Sequence, residues 1–137
     1  MAARHVSRDT RRAMSQENVE IVRQFVLLDL EEALELADPD IVWNPVEEPP
    51  RQGHQAVREN LERWESGWEE YEATPVEFMD TGDRVVATLR IRGIGRGSGI
   101  AIDALFYEVY TLRGGKIVRM DEFTERREAL EAVGQSK

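Results

Sequence analysis

The sequence predicts an α+β domain, because helical periodicity dominates the first half of the chain and strand alternation the second. The change comes at Pro75, after which extended segments are separated by turn signals such as Gly114-Gly115. A chain of 137 residues fits one domain. Its 41% hydrophobic and 33% charged residues are typical of a folded protein with one core.

Two helices are predicted at the start of the domain. Ser15 is placed to cap the first, whose apolar residues recur at near-helical spacing up to Leu28. Asp29, with an acid three residues later, begins the second, and "DPD" at 38–40 ends it. We therefore expect two short-linked amphipathic helices that pack on a common core.

The two ends of the chain are predicted to lie outside this domain. Residues 1–13 carry four arginines against one aspartate and are expected to form a disordered basic leader. A single domain then spans residues 14–134, and residues 135–137 are expected to be loose.

A third, longer helix follows a short strand at 41–44 and a proline-rich loop. Its predicted inner stripe has residues at i, i+4, i+7, i+11 and i+14, namely Val57, Leu61, Trp64, Trp68 and Tyr71. An antiparallel meander comes next, with strands at about 76–80, 84–94, 100–112 and 116–124. A short helix closed by Gly134 ends the domain.

Composition argues against several classes of function. The net charge of −9 repels phosphate backbones, so nucleic-acid binding is not expected. The apolar runs are far shorter than the roughly 18 residues that span a bilayer, so no membrane segment is expected. The chain has no cysteine, which suits a reducing cytoplasm and excludes thiolate chemistry.

Metal and phosphate sites are not expected either. His54 is the only histidine inside the predicted domain, and no acidic run has calcium-loop spacing, so we predict no metal and no cofactor. A helix-start or surface role suits His54 better than that of a general base. The segment "GIGRGSG" at 93–99 lacks the Lys-Ser/Thr and the following helix of a phosphate-binding loop. It is interpreted as a bend or wide hairpin between long strands.

The last hairpin predicts which side chains share a face. A two-residue turn at Gly114-Gly115 would place Tyr107 opposite Glu122. One face would then hold Leu105, Tyr107, Val109, Met120, Glu122 and Thr124. The other would hold Phe106, Glu108, Tyr110, Arg119, Asp121 and Phe123. Both faces are partly apolar, so one is expected to cover a pocket and the other to meet a second subunit as a homodimer.

The second of these faces would also bring two acids together. Glu108 would lie opposite Asp121, and two adjacent carboxylates can share a proton and do acid–base work. Such pairs are more often exposed or held by an arginine, here Arg119.

The order of elements resembles the SnoaL-like branch of the nuclear-transport-factor-2-like superfamily. The segments that carry it are "SQENVEIVRQF", "DLEEALELADPDIVWNP", "RQGHQAVRENL" and "LRGGKIVRMDEFTERREALEAVG", within residues 15–134. The resemblance implies a cone, in which a strongly bent antiparallel sheet wraps a long helix and leaves a pocket open at one end. Relatives include polyketide cyclases, ketosteroid isomerase, limonene epoxide hydrolase and many proteins without catalysis.

The resemblance also implies a site. Positions matching Met120, Glu122 and Thr124 line the pocket in the isomerase and the hydrolase, so Glu122 is the expected proton acceptor, with Tyr107 as its hydrogen-bond partner. An alternative places Glu122 at the rim, held by Arg90 or Arg92. The catalytic aspartate of the isomerase is matched by Asn44, and an amide can orient a substrate or water but cannot take its proton. The expected pocket residues are Val42, Arg90, Arg92, Val109, Met120, Thr124, Trp64 and Trp68.

Two functions are compatible with these observations. One is a pocket for a small organic molecule in a cofactor-independent cyclase, isomerase or hydrolase-type enzyme. The other is a noncatalytic binding or dimeric interaction module, in which Trp43, Trp64 and Trp68 fill the cone. A cavity below about 300 Å³, with Glu122 tied to an arginine, would favour the filled cone.

Overall fold

The computed structural model describes residues 8–134, with their side chains from Gln16 onward. It confirms the α+β class, with four helices and one six-stranded curled sheet. The helices are α1 (Arg8–Leu27), α2 (Leu30–Leu34), α3 (His54–Ser66) and α4 (Arg126–Ala132). The strands are β1 (Ala37–Asn44), β2 (Arg51–Gln52), β3 (Trp68–Asp80), β4 (Arg84–Gly95), β5 (Ala101–Arg113) and β6 (Lys116–Phe123).

The sheet is mixed, in the order β2-β1-β6-β5-β4-β3. Strands β3 to β6 form the antiparallel meander that the sequence predicts. The bent sheet is antiparallel, as expected, except that β1 pairs in parallel with β6. The first strand therefore lies beside the last, and the loop after β1 is brought to the inner side of β6.

Three boundaries of helices and strands differ from those predicted. Helix α1 begins at Arg8, so residues 8–13 of the expected leader are helical, whereas residues 1–7 and 135–137 lie outside the described residues. Strand β1 begins at Ala37 and includes the "DPD" segment. Helix α3 ends at Ser66, where Gly67 is the C-cap, so Trp68 and Tyr71 belong to strand β3.

A β-bulge changes the predicted register of the last hairpin. Leu112 pairs with Ile117 as a two-residue turn requires, but Thr111 then pairs with Arg119, which leaves Val118 as an extra residue on β6. A one-residue shift exchanges the faces of every partner beyond it. Tyr107 and Val109 therefore do not share a face with Glu122, and the predicted grouping of β5 with β6 is wrong.

The two faces of the sheet have different coverings. The inner face packs on α1 through the main core, which includes Val22, Phe25 and Tyr110. The outer face carries a smaller cluster in which Val86 and Val109 pack against Ala129 of α4. The C-terminal helix thus covers part of the face that was expected to meet a second subunit.

Candidate functional site

A cavity of about 470 Å³ lies between α3, the loop after β1 and the inner face of the sheet. This volume is above the roughly 300 Å³ at which drug-sized ligand pockets begin. Its lining is mainly apolar and includes Trp43, Pro45, Val46, Leu61, Trp64, Trp68, Tyr71, Leu89, Ile91, Ile102 and Phe106. Its ionisable groups are Glu48, Arg63, Tyr71, Glu108 and Glu122.

Four aromatic rings form one wall of the cavity. Trp64, from α3, lies 5.4 Å from Trp68 and 6.2 Å from both Tyr71 and Phe106, measured between ring centroids. Trp68 lies 5.4 Å from Tyr71. The contacts between the rings are edge-to-face or tilted, so the four rings pack against one another without stacking face to face.

The chain folds closely around Trp68 in the lining of the cavity. A Cβ on Gly93 would lie 2.5 Å from the Glu70 carbonyl oxygen and 2.6 Å from Trp68 Cε3, so this strand position requires glycine. The guanidinium of Arg96, in the following hairpin, donates to the carbonyl oxygens of Ser66 and Trp68 at 3.0 and 2.9 Å. The segment "GIGRGSG" is therefore a bend that fixes the aromatic wall.

Two carboxyl groups lie together in the cavity. Glu108 on β5 and Glu122 on β6 are directly paired across the strands, and both side chains face inward. The hydroxyl of Tyr110 donates a hydrogen bond to Glu108 Oε1. The backbone N–H of Val46 donates to Glu122 Oε1 at 3.4 Å, so the loop after β1 also holds the pair.

The surroundings of the pair favour its protonated forms. Burial raises the pKa of Glu122 to about 8, and the neighbouring charge of Glu108 adds to the rise. Burial also raises the pKa of Glu108, although hydrogen bonds from Tyr110 and Glu122 favour its charged form. Both acids therefore have raised pKa values, and because they are coupled the pair titrates as a unit.

Within residues 16–134, no arginine or lysine forms an ion pair with Glu108 or Glu122. Every ion pair in that range involves a different acid. A buried donor lies beside it instead. Trp43 is 3% exposed, and its Nε1 has no hydrogen-bond partner within 3.5 Å in the described part of the chain. The indole N–H is close enough to Glu122 to favour its charged form weakly, which opposes the rise of its pKa.

The catalytic residues proposed from the sequence do not come together. Glu122 lies in the cavity, but Tyr107 points to the outer face, where it packs beside Val109 in the cluster with α4. Asn44 donates to Asp121 Oδ1 at 2.6 Å, on the side of β1 opposite Trp43. The expectation for Tyr107 fails because of the bulge, and that for Asn44 because strand alternation directs Trp43 inward.

The other expected pocket residues divide between the cavity and the rest of the fold. Trp64 and Trp68 line the cavity, whereas Met120 is buried in the core below it. Val42 lies on the same side of β1 as Asn44, and Thr124 is exposed beyond the end of β6. Two arginines that were considered as holders of Glu122 lie elsewhere: Arg90 pairs with Asp103 at 2.6 Å on the outer face, and Arg92 lines a separate groove.

The fold agrees with the comparison to known families. A model of the SnoaL-like domain matches residues 8–120. This chain belongs to the SnoaL-like family. No curated protein sequence matches it.

Solved structures show the same fold for this SnoaL-like chain. An NTF2-like protein of unknown function from Burkholderia pseudomallei is 22% identical, with a TM-score of 0.70 over 86% of this chain and 98% of that one. A protein of Jannaschia sp. CCS1 that carries the name SnoaL-like polyketide cyclase is 20% identical, with a TM-score of 0.73 over 86% and 92%. TerC, co-crystallised with polyporic acid, is 24% identical, with a TM-score of 0.68 over 85% and 98%. At these identities the likeness establishes the fold alone.

Three important residues of this SnoaL-like site were missed or misplaced by sequence reasoning. Strict alternation from the Gly114-Gly115 turn places Glu108 and Tyr110 on the outer face, and size alone predicts only a filling role for Trp43. The sequence carries no clear signal for the bulge, because Val118 and Met120 are apolar at the spacing of a regular strand. Only the structure shows that Ile117 and Met120, three residues apart, are both buried. Strict alternation cannot place both on the same face.

The structure also bears on metal and membrane binding. Among the side chains of residues 16–134, no three histidine, aspartate or glutamate residues form a group that could hold a metal ion. His54 Nε2 lies 2.9 Å from the carbonyl oxygen of Ala37, which joins the start of α3 to β1. None of the described helices combines the length and the hydropathy needed to cross a membrane.

Proposed function

We propose that this SnoaL-like protein is a cofactor-independent enzyme that transfers protons within a small organic molecule bound in the cavity. The observation that carries the proposal is the pairing of Glu108 with Glu122 in a mainly apolar cavity. Carboxyl groups with raised pKa values are suited to exchange protons near neutral pH.

The pair can act as base and acid in one step. Glu108, as the carboxylate, takes a proton from a carbon next to a carbonyl group, and the C–H electron pair forms the C=C bond of an enol. The carbonyl π electrons move to oxygen, which takes the proton of Glu122. The pair loses one proton and gains one, so it ends the step with Glu108 protonated and Glu122 ionised.

Return of a proton to another carbon completes an isomerisation, and attack of the enol carbon on a second carbonyl completes a cyclisation. This assigns the proton transfers to Glu108 and Glu122 together, whereas the family resemblance implies Glu122 as the base and the unbulged hairpin would pair Glu108 with Asp121. Val46 and Trp43 are positioning groups in this scheme, because their N–H groups face Glu122. The relative named as a polyketide cyclase and the crystals of TerC with polyporic acid support a small organic substrate.

Hydrogen–deuterium exchange of a simple carbon acid tests the proposal. We would incubate 2-tetralone, an aromatic bicyclic ketone, with the protein in deuterated buffer at pH 7 and follow loss of its α-proton signals by NMR. We expect exchange above the buffer rate, and a loss of at least about 100-fold in Glu108→Gln and in Glu122→Gln, the usual lower range for a general acid or base.

The matched control is Glu128→Gln, which changes an exposed acid on α4 and should exchange at the wild-type rate. Exchange at the wild-type rate in both cavity variants would refute the proton-transfer role. Binding of 2-tetralone without any enhanced exchange would support the noncatalytic binding module instead.

The proposal extends to assembly and location. The outer face keeps an uncovered apolar side chain, Leu105, which is 44% exposed, beside the partly buried Tyr107. These features support a homodimer through the part of the outer face that α4 leaves open. The lack of cysteine supports a cytoplasmic location.

A further inference from the structure

The carboxyl pair in the cavity has no ion-pair partner within the described part of the chain. Buried charges in proteins are normally paired, because an uncompensated charge in an apolar environment is costly. Glu108 receives a hydrogen bond from Tyr110, but no cation contacts either acid among residues 16–134. The cavity is therefore arranged to receive positive charge from a bound molecule.

The geometry points to an organic cation as the ligand of this cavity, a protonated amine on an apolar body held between the aromatic wall and the carboxyl pair. This inference rests on the proposed function in that it names the substrate class of the same site. An ammonium group would occupy the cavity together with the reacting carbon of the substrate.

The aromatic wall has the composition that recognises such a group. Trp64, Trp68, Tyr71 and Phe106 all line the cavity, with centroid distances of 5.4–6.2 Å between neighbours. A cation over an aromatic ring is attracted by the ring's quadrupole, most strongly for tryptophan and most effectively away from water. Two tryptophans in one small cavity therefore favour a cation over a neutral group of the same shape.

The two other charged groups on the cavity lining have opposite signs, and each has a protein partner. Glu48 pairs with Arg51 at 3.4 Å, and the guanidinium of Arg63 donates to Asn60 Oδ1 at 2.7 Å on its own helix. Burial raises the pKa of the Tyr71 hydroxyl, and the negative charges of Glu108, Glu65 and Glu122 raise it further. The chain as a whole carries −9, so its field attracts cations to the protein.

Binding of three probes with the same phenyl ring tests the inference without any turnover. We would titrate the protein at pH 7 with 2-phenylethylammonium, 2-phenylethanol and 3-phenylpropanoate and follow the indole N–H signals by NMR. We expect the cation to bind about tenfold more tightly than the alcohol, about 1.4 kcal/mol from the aromatic rings and the carboxyl pair together, and the anion to bind most weakly.

Two variants test which groups cause the preference for the cation over the alcohol. Glu108→Gln with Glu122→Gln removes the negative charge, and it should bring the affinities for cation and alcohol within about threefold, since only the ring contribution remains. Trp64→Leu should weaken the preference as well, and it tolerates substitution because Trp64 is 38% exposed. The control Glu62→Gln, an exposed acid on α3, should keep the wild-type ratio.

Equal binding of the cation and the alcohol, tighter binding of the anion, or binding of none of the three would overturn the inference. The outcome is separate from that of the exchange experiment. A preference for the cation without exchange of 2-tetralone leaves the inference intact and removes the proton-transfer role. Exchange of 2-tetralone without a preference for the cation would overturn the inference and leave the proton-transfer role intact.

Discussion

Glu108 and Glu122 stand directly opposite each other on neighbouring antiparallel strands and face the same cavity. The pairing depends on Val118, the extra residue of the β6 bulge, because an unbulged hairpin would place Asp121 opposite Glu108. One residue thus decides which two acids share the cavity. The bulge also explains why Glu122 lies opposite Glu108, whereas strict strand alternation predicts that Glu122 lies opposite Tyr107.

The bulged register predicts which cysteine pair will form a cross-strand disulfide. Thr111→Cys with Arg119→Cys should oxidise readily, because these residues are direct partners and their Cα atoms lie within bridging distance. Thr111→Cys with Val118→Cys should not, although the unbulged register would favour it. Since the chain has no other cysteine, thiol titration and mass spectrometry read the result directly. Preferential oxidation of the second pair would contradict the register.

Stability should fall as pH rises through the range in which the cavity acid titrates. The pKa of Glu122 is about 8 in the folded chain and 4.5 as its reference value, so between these values the folded state holds the extra proton. Unfolding then releases that proton, and the free energy of unfolding decreases with pH up to about 8. Glu122→Gln should flatten this slope and be more stable than wild type at pH 8, on the order of 2 kcal/mol.

Urea denaturation at pH 5, 6.5 and 8 measures the slope. Glu62→Gln, on the exposed side of α3, should keep the wild-type dependence. A Glu122→Gln variant whose stability falls with pH as steeply as wild type would show that Glu122 titrates normally.

Removing the hydroxyl of Tyr110 should raise the pKa of the carboxyl pair. That hydroxyl donates to Glu108 and favours its charged form, so Tyr110→Phe leaves the carboxylate less stabilised. Loss of the hydrogen bond should also cost about 1–2 kcal/mol of stability at pH 7. Carbon-13 NMR titration of the glutamate carboxyl groups measures the first effect. Tyr107→Phe, on the outer face, is the matched control. A change of the carboxyl pKa in Tyr107→Phe but not in Tyr110→Phe would contradict the assignment of Tyr110 to the cavity side of the sheet.

Gly93 should tolerate alanine poorly. A Cβ there would meet the Glu70 carbonyl oxygen at 2.5 Å and the Trp68 ring at 2.6 Å, so either β3 or the ring must move. We expect Gly93→Ala to lose on the order of 2–3 kcal/mol in chemical denaturation. At Gly67 a Cβ would come no closer than 3.5 Å to Trp64 O, so Gly67→Ala should change stability much less. Equal losses in the two variants would mean that the contact with Trp68 is unimportant.

If the protein is a homodimer through its outer face, a charge on that face should separate the subunits. Leu105→Glu places a carboxylate on the exposed outer side of β5 and should give a monomer by light scattering at micromolar concentration. Leu27→Glu changes a residue that is 61% exposed on α1 and should leave the dimer intact. A monomeric wild-type protein would remove the dimer from consideration.

The elements of the fold were predictable because they depend on patterns repeated over many residues. The apolar spacing of α1 and α3 and the alternation of the meander each use one period throughout, and turn residues mark their ends. The parallel pairing of β1 with β6 was not predictable from these patterns. It joins segments far apart in sequence and leaves no local signal.

The site was less predictable because it depends on single-residue events. Trp43 and Asn44 are adjacent on β1, so their side chains lie on opposite faces of the sheet. An error of one position in the strand's orientation therefore places the Asn44 amide in the cavity where the Trp43 indole lies. The bulge at Val118 exchanges faces in the same way. The hydrogen bonds of Arg96 to Ser66 and Trp68 are likewise visible only once three elements are assembled.

The parallel contact between β1 and β6 has a consequence for how the chain reaches its native state. Neighbouring strands of the meander are joined by short turns, whereas Val46 meets Glu122 across 76 residues and Asn44 meets Asp121 across 77. Closing so long a loop carries an entropic cost that local hairpins avoid, so we expect the meander to form first. The carboxyl pair would then lose its solvent only in the last stage of folding, when β1 docks. Stopped-flow refolding at different pH values should therefore show its pH dependence in the slowest phase.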